Sequence, residues 1–146
     1  MAEISNKKIL NAKSTSYNDI NFKSKLEVAC YKKLAASGLS FAYEPETIII
    51  WRGNKITNTV GYFPDKNKML VPKTNYKLRD ITYTPDFKIV YKGYTIYIDS
   101  KGHVNDVYPL KKKMFLQYLN NKVKHLFFEP HSVKQMVQTI DIIKKL

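Results

Sequence analysis

Residues 84–102 read TPDFKIVYKGYTIYIDSKG, and this stretch decides the predicted fold. Two runs rich in β-branched and aromatic residues, 87–91 and 94–99, flank the pair Lys92-Gly93. A lysine-glycine pair between two such runs suits a two-residue β-turn. The stretch therefore predicts an antiparallel hairpin.

Polar residues stand at both ends of this predicted hairpin. Asp99 and Lys101 are two residues apart at its end, so they project from the same face of an extended chain. Asp86 stands at the start of the neighbouring strand, where it can meet both side chains. Ser100 is expected to point its side chain away from them, although its backbone carbonyl can reach a cation between the aspartates.

Helical spacing of apolar residues predicts three helices outside the hairpin. The first is capped by Ser24, with Glu27 completing a capping box, and ends near Gly38. The second starts at Pro109 and runs to about Asn120. The apolar stripe predicted for the second helix consists of Leu110, Met114 and Tyr118. The third helix is capped by Ser132, and its predicted stripe is Val133, Met136, Val137, Ile140 and Ile143.

Further strands are predicted at residues 39–43, 47–51, 81–83 and 123–128. Residues 1–22 are polar and weakly patterned, which predicts a flexible N-terminal arm. Residues 23–146 are then a single domain, with a loop-rich insertion at about 52–80. The predicted fold class is α/β (α+β), with a mixed central β-sheet flanked by helices in the order helix, strands, helix, strand, helix.

Charge is the feature of the composition that says most about partners. The 146 residues include 25 Lys+Arg and 12 Asp+Glu, a formal net charge of +13. Such an excess favours a polyanionic partner. Arg52 and Arg79 are the only arginines, so lysines supply most of the positive charge, which suits contacts to phosphates more than reading of base edges. Lysine-rich chains also arise from A+T-rich genomes, and both causes are kept open.

The cellular compartment is expected to be the cytoplasm. Cys30 is the single cysteine, which excludes an internal disulfide, and we find neither an apolar run long enough to cross a bilayer nor a secretory signal. We therefore expect no membrane partner.

Two carboxylates beside a lysine form a set that suits phosphodiester hydrolysis. Mg²⁺ prefers hard oxygen ligands, and Asp86, Asp99 and the Ser100 carbonyl supply three while leaving room for water and phosphate. The cation, which Mn²⁺ can replace, would acidify water and polarise the phosphoryl group. Lys101 would orient or deprotonate that water, or offset charge in the transition state. The alternatives are a turn-capping role for Asp86 and a surface ion pair between Asp99 and Lys101.

The set resembles the PD-(D/E)xK nuclease superfamily, with Asp99 in the place of the commoner glutamate. Its context, from about Ser24 to Glu129, is similar to the phage endonuclease I type of Holliday-junction resolvase. The similar segments, in order, are Leu26-Glu27, Phe41-Ala42-Tyr43-Glu44, Tyr83-Thr84-Pro85-Asp86-Phe87 and Lys101-Gly102. Lys111-Lys112-Lys113-Met114-Phe115, which follows, is also similar to an uncharacterised phage nuclease family.

The resemblance implies a restriction-endonuclease-like core, cleavage of branched or structured DNA, and an intertwined homodimer with exchanged N-terminal segments. It also implies a role for Glu27 as an additional metal ligand, although the capping box alone accounts for this residue. Ala42 stands where the family has a second glutamate, and Glu44 is the nearest substitute. Residues 47–80 are longer than the family's equivalent, which puts junction specificity in question.

Other residues have weaker expected roles. Lys111, Lys112 and Lys113 are expected to contact phosphates, the alternative being a solvated helix face. His103 could touch the scissile phosphate or have no role. The sequence therefore predicts a Mg²⁺-dependent endodeoxyribonuclease. The alternatives are a restriction-like or repair nuclease of the same fold and a non-catalytic nucleic-acid-binding protein.

Overall fold

A computed structural model describes residues 14–57, 60–62, 66, 69, 71–73 and 75–146. The chain divides into two compact units, one formed by the described parts of Met1–Thr47 and Thr84–Leu146 and the other by those of Ile48–Tyr83. Within the described residues, no helix is both long and apolar enough to span a membrane.

The elements of the first unit are β1 (Thr15–Tyr17), β2 (Ile20–Phe22), α1 (Lys25–Ala36), β3 (Phe41–Tyr43), β8 (Phe87–Tyr91), β9 (Tyr94–Ile98), α2 (Tyr108–Leu119), β10 (His125–Phe128) and α3 (Val133–Lys144). Those of the second unit are β4 (Ile48–Trp51), β5 (Val60–Tyr62), β6 (Val71–Lys73) and β7 (Ile81–Tyr83).

A mixed four-stranded sheet, in the order β10-β9-β8-β3, is the centre of the first unit. The β8–β9 and β3–β8 pairs are antiparallel, whereas β10 runs parallel to β9. Lys92 and Gly93 form the predicted hairpin turn, and their φ angles of 46° and 80° lie in the left-handed region that a tight turn of this kind requires. The predicted α+β class with a mixed sheet flanked by helices is confirmed.

Helices cover both faces of this sheet. On one face, side chains of α1 and α3 form the main core with alternate residues of β8 and β9: Cys30, Leu34, Phe87, Ile89, Ile96, Ile98, Met136, Ile140 and Ile143. On the other face, Phe115 of α2 makes edge-to-face contacts with Tyr97 and Phe127, at centroid distances of 5.4 and 5.6 Å. Because side chains alternate along β9, Ile96 and Ile98 contact the helices on one face of the sheet and Tyr97 contacts α2 on the other.

Serine caps fix the starts of the first and third helices, as the sequence predicts. The Ser24 hydroxyl accepts a hydrogen bond from the Glu27 backbone N–H at 3.1 Å, and Ser132 accepts one from Gln135 at 3.2 Å. Gly38, with φ of 81°, follows the end of α1. Along α3, Met136, Ile140 and Ile143 are buried as predicted, whereas Val137 is exposed.

The apolar face predicted for α2 was wrong. Leu110 is 59% exposed and Tyr118 is 38% exposed, whereas Tyr108, Phe115 and Leu119 are buried. The helix begins one residue earlier than predicted, and its aromatic residues at 108 and 115 are two turns apart on the buried side. The large aromatic side chains therefore decide which face is buried.

The flexible arm predicted for residues 1–22 was also wrong where the structure describes it. β1 and β2 form an antiparallel hairpin, and Phe22 is 1% exposed. Its ring lies 5.2 Å from that of Tyr31 on α1 and 4.7 Å from that of Tyr43 on β3. Aromatic packing orders this short hairpin, although its sequence has no apolar period. Residues 1–13 of the predicted arm lie outside the described residues.

The second unit includes the residues of the insertion predicted at about 52–80 and the two strands that flank them. β4 pairs antiparallel with β7, β5 pairs antiparallel with β6, and Lys55 faces Lys77 in an isolated bridge. Gly53 packs so closely on the opposite segment that an added Cβ would lie 2.0 Å from the Leu78 carbonyl oxygen. Asp80 accepts a hydrogen bond from the Gly53 N–H at 2.7 Å, which holds the two segments together.

Candidate active site

The register of the β8–β9 hairpin brings the two predicted catalytic aspartates to one place. The last pair of the ladder is Phe87 opposite Ile98, so Asp86 and Asp99 stand opposite each other one step beyond it. Both side chains are buried, with Asp86 4% and Asp99 1% exposed. Two carboxylates so deeply buried are uncommon unless they are paired or bind a cation.

Backbone hydrogen bonds hold the segment that carries Asp99 and Lys101. The strand ends at Ile98, one residue before the predicted end, but contacts to the β10 side continue beyond it. The Asp99 N–H donates to the Phe128 carbonyl and the Lys101 N–H to the Pro130 carbonyl, each at 3.0 Å. The three residues 99–101 are therefore as firmly placed as a strand.

The direction predicted for the Ser100 side chain was wrong. Its side chain does not point away from the aspartates, since both its N–H and its hydroxyl donate to Asp86 Oδ2 at 2.8 Å. The strict alternation of a strand no longer applies beyond Ile98. Ser100 thus fixes the Asp86 carboxylate, while the metal-binding role of its backbone carbonyl stays a prediction.

Lys101 lies directly beside Asp99, as predicted. Its Nζ is 2.7 Å from Asp99 Oδ1 and 4.7 Å from the centre of the Tyr108 ring. Burial disfavours the ammonium form, but the charges of Asp99, Asp86 and Glu27 outweigh it and raise the pKa of Lys101 above its ordinary value. This environment favours the ammonium form of Lys101.

Of the two glutamates considered as additional ligands, Glu27 lies near the aspartates, whereas the side chain of Glu44 contacts a different residue. Glu27 is 6% exposed, and its carboxylate accepts a hydrogen bond from the Tyr43 hydroxyl at 2.9 Å. The Glu44 side chain instead pairs with Lys23. Glu27 is near enough for its charge to raise the pKa of Asp86.

The electrostatics of the site favour a bound cation. Burial, followed by the charges of Asp99 and Glu27, raises the pKa of Asp86 well above its ordinary value, although Lys101 and Ser100 act in the opposite direction. Three carboxylates and one ammonium, all ionised, would leave two uncompensated negative charges. A divalent cation balances that excess, and carboxylate oxygens are ligands that Mg²⁺ prefers.

The ligand count limits how such a cation could be held. Among the described residues, no three His, Cys, Asp or Glu side chains converge as a metal-binding group. The donor set therefore fits a site built on Asp86 and Asp99, with other oxygen ligands supplied by the backbone and by water. Glu27 belongs to the same electrostatic cluster without completing a three-carboxylate site in this geometry.

A cluster around Glu129, missed in the sequence, lies next to Lys101. The Glu129 carboxylate accepts a hydrogen bond from the Tyr108 hydroxyl and lies 3.0 Å from both Lys112 Nζ and His131 Nε2. His131 Nδ1 is 2.8 Å from the Lys101 carbonyl oxygen. Burial alone would raise the pKa of Glu129, but the hydrogen bonds from Tyr108 and Lys112 and the nearby His131 lower it. The residues are scattered between 108 and 131, so no short motif marks them.

The remaining predicted residues are less closely tied to the site. Of the lysine run, Lys112 is engaged with Glu129, whereas Lys111 is half-buried and Lys113 exposed on α2. His103 is exposed in the loop that follows Lys101. Their predicted contacts with phosphate remain predictions.

Comparisons with known proteins identify neither a family nor a structural relative for this chain. No protein-family model, curated protein or solved structure matches the chain. The geometry and charges of the site itself therefore carry the functional conclusion.

Proposed function

We propose that the protein is a Mg²⁺-dependent endodeoxyribonuclease of the PD-(D/E)xK type, with a restriction-endonuclease-like core, that cleaves branched or structured DNA. The observation that carries the proposal is the meeting of Asp86 and Asp99 beyond paired strands, with Lys101 2.7 Å from Asp99. Two buried carboxylates beside a lysine supply the charges that metal-assisted phosphodiester hydrolysis needs. A surface ion pair would not explain why Asp86 and Asp99 are buried.

Each residue of the site has a distinct role in the proposed reaction. Asp86 and Asp99 would hold the cation, and Ser100 orients Asp86 through its N–H and hydroxyl. A bound Mg²⁺ supplies Lewis acidity to the phosphoryl group and lowers the pKa of water. Lys101, as an ammonium, offsets the negative charge that develops on the phosphate in the transition state. As an ammonium, Lys101 has no free electron pair, so the proton of the attacking water would pass to solvent.

The charge distribution supports a nucleic-acid substrate. Lys111 and Lys113 lie on the helix that follows the site segment, and the chain as a whole carries +13. Ile48–Tyr83 contains seven basic and two acidic residues, including both arginines of the chain. Its exposed cations among the described residues include Arg52, Lys55, Lys77 and Arg79. The structure gives these four no ion pair within the described residues, so they are suited to phosphate contacts.

The positions of Lys55 and Lys77 give a specific reason to expect a polyanionic partner. They face each other in an antiparallel bridge, and like charges in that position destabilise the pair. A polyanion bound across the two segments would remove the repulsion. Genome bias explains a high lysine content but not the opposition of two lysines.

A substrate panel tests the proposal. Purified protein is incubated with Mg²⁺ and a four-way junction, a flap, a linear duplex or a single strand, each end-labelled. We expect the junction or flap to be cleaved fastest, with cleavage lost in EDTA. Cleavage of linear duplex alone would favour a restriction-like or repair nuclease, and binding without any cleavage would favour a non-catalytic binding protein.

Symmetric resolution of a junction also implies a homodimer, because one such unit offers one site and two-fold pairing is the commonest way to present two. Light scattering with and without a junction measures the assembly. We expect a dimer on the junction. A monomer in both conditions would count against paired cleavage and favour nicking.

A further inference from the structure

Glu129 contacts two residues, Tyr108 and His131, that in turn contact Lys101 from two directions. Its carboxylate joins three groups from separate parts of the chain: the Tyr108 hydroxyl and Lys112 ammonium of α2, and the His131 ring beyond β10. The Glu129 side chain is 15% exposed. Hydrogen bonds to a charged group that is largely shielded from water are stronger than those of an exposed pair.

One direction runs through the backbone of Lys101. His131 Nδ1 lies 2.8 Å from the Lys101 carbonyl oxygen, and its Nε2 lies 3.0 Å from Glu129 Oε1. A carbonyl and a carboxylate both accept hydrogen bonds, so the His131 ring is the donor toward either group, and its tautomer decides which nitrogen carries the hydrogen. Together with the bond from the Lys101 N–H to the Pro130 carbonyl, this contact holds the two peptide groups on either side of the Lys101 Cα.

The other direction runs through the Lys101 side chain. Tyr108 donates its hydroxyl to Glu129 and lays its ring 4.7 Å from Lys101 Nζ. A lysine side chain has four rotatable bonds, and an ammonium over an aromatic face is held by a cation–π attraction. The ring and Asp99 therefore confine Nζ from two sides.

We propose that Glu129 is a positioning residue for Lys101, acting through His131 on its backbone and through Tyr108 on its ammonium group. The inference rests on the proposed function, since the positioned ammonium faces the scissile phosphate. Glu129 itself touches no reacting atom. Its loss lets Lys101 sample positions in which Nζ no longer faces Asp99, and small displacements of a reacting group slow catalysis strongly.

The same sheet provides a matched control. Glu46 also binds one lysine and one tyrosine, with Lys88 Nζ at 2.7 Å and the Tyr97 hydroxyl at 2.8 Å, and these partners belong to β8 and β9. Glu129→Gln and Glu46→Gln therefore each weaken one lysine and one tyrosine contact, but only the partners of Glu129 include Tyr108 and His131, which contact Lys101. Tyr108→Phe keeps the ring and removes only the hydroxyl, so it provides a second variant of the proposed connection.

Kinetics and nuclear magnetic resonance test the proposal together. We expect Glu129→Gln to lower kcat about ten- to a hundredfold with little change in KM or DNA affinity, as for other residues that support a catalytic group. The Lys101 side-chain methylene protons should show an upfield ring-current shift from Tyr108 in the wild type that is reduced in Glu129→Gln. Tyr108→Phe should lower kcat less, and Glu46→Gln should change neither kcat nor the shift.

The outcomes separate this inference from the proposed function. Unchanged kcat and an unchanged Lys101 shift in Glu129→Gln would overturn the positioning role, as would an equal fall in kcat in Glu46→Gln. A wild-type protein that cleaves no nucleic acid would overturn the function, while the resonance shift would still decide whether Glu129 positions Lys101.

Discussion

At the scale of single residues, Asp86 is held by favourable hydrogen bonds and at the same time repelled by neighbouring carboxylates. Its two hydrogen bonds from Ser100 end on the same oxygen, Oδ2, in a buried place that also contains Asp99 and is influenced by Glu27. These bonds orient the carboxylate, but they do not cancel the repulsion. Burial and this repulsion both raise the pKa of Asp86, and a bound cation would reduce the repulsion.

Replacing Asp86 by asparagine should stabilise the metal-free protein at neutral pH. The amide oxygen can accept both Ser100 hydrogen bonds, and the charge is removed. Because burial and neighbouring carboxylates raise the pKa of Asp86, its favourable contribution to folding is complete below the ordinary pKa of 3.8 and is lost as pH rises through the folded-state value. Urea unfolding at several pH values should show Asp86→Asn gaining on the wild type as pH rises.

Magnesium should reverse that order. Binding to the folded state stabilises the wild type by about 1.4 kcal/mol when the free ion is about tenfold above its Kd. The variant lacks one carboxylate ligand and should respond much less. Equal stabilisation of both proteins by Mg²⁺ would show that the ion binds elsewhere.

The sequence predicts the three main site residues because their spacing follows from strand geometry. Two residues on an extended segment share a face, so Asp99 and Lys101 meet, and the hairpin turn at Lys92-Gly93 fixes the register that brings Asp86 opposite Asp99. Glu129 and His131 could not be found this way. They reach Lys101 because β10 lies beside β9 in the sheet, and that pairing has no local signal in the sequence.

At the scale of secondary-structure elements, the β8–β9 hairpin has the largest effect on the site. A slip of one residue would turn Phe87 and Ile98 away from the core, where both are fully buried. The turn and the core thus specify the same register. By contrast, the burial of α2 depends on aromatic contacts with the sheet, which helical periodicity alone did not predict.

Gly93→Ala should weaken this hairpin. Gly93 has φ of 80°, where a side chain is strained, although the added Cβ would meet only the Lys124 side chain at 3.7 Å. The expected loss in the free energy of unfolding is about 1 kcal/mol. Lys92→Asn should instead be neutral or stabilising, because asparagine adopts the left-handed conformation more readily. Urea denaturation measures both variants, and a Gly93→Ala protein as stable as the wild type would contradict the turn assignment.

At the scale of the whole molecule, the net charge of +13 would govern the proposed encounter with DNA. Each phosphate contact releases condensed counterions, so affinity should fall steeply with salt. The helix after the site segment and the exposed cations of Ile48–Tyr83 are the two surfaces that we expect to contribute. The size of each basic surface could not be predicted from composition, because a count of charges does not show which lysines form ion pairs.

Substitution of Lys111 and Lys113 by alanine should reduce the slope of log affinity against log salt by about 2, or roughly one per lost phosphate contact. Lys112 is left unchanged because it binds Glu129. The matched control replaces Lys144 and Lys145, two exposed lysines at the end of α3. Fluorescence anisotropy on a labelled junction measures the slopes. A slope that falls equally in both double variants would indicate a general charge effect with no specific surface on α2.

The most direct test of the proposed nuclease is cleavage of a four-way junction by the wild type and by Asp99→Asn, with Mg²⁺ or with EDTA. We expect Mg²⁺-dependent cleavage by the wild type. The rate should be at least about a hundredfold lower in Asp99→Asn, with DNA affinity nearly unchanged, because the lost interactions act on the transition state. Cleavage by Asp99→Asn at the wild-type rate, or cleavage that persists in EDTA, would contradict the proposal.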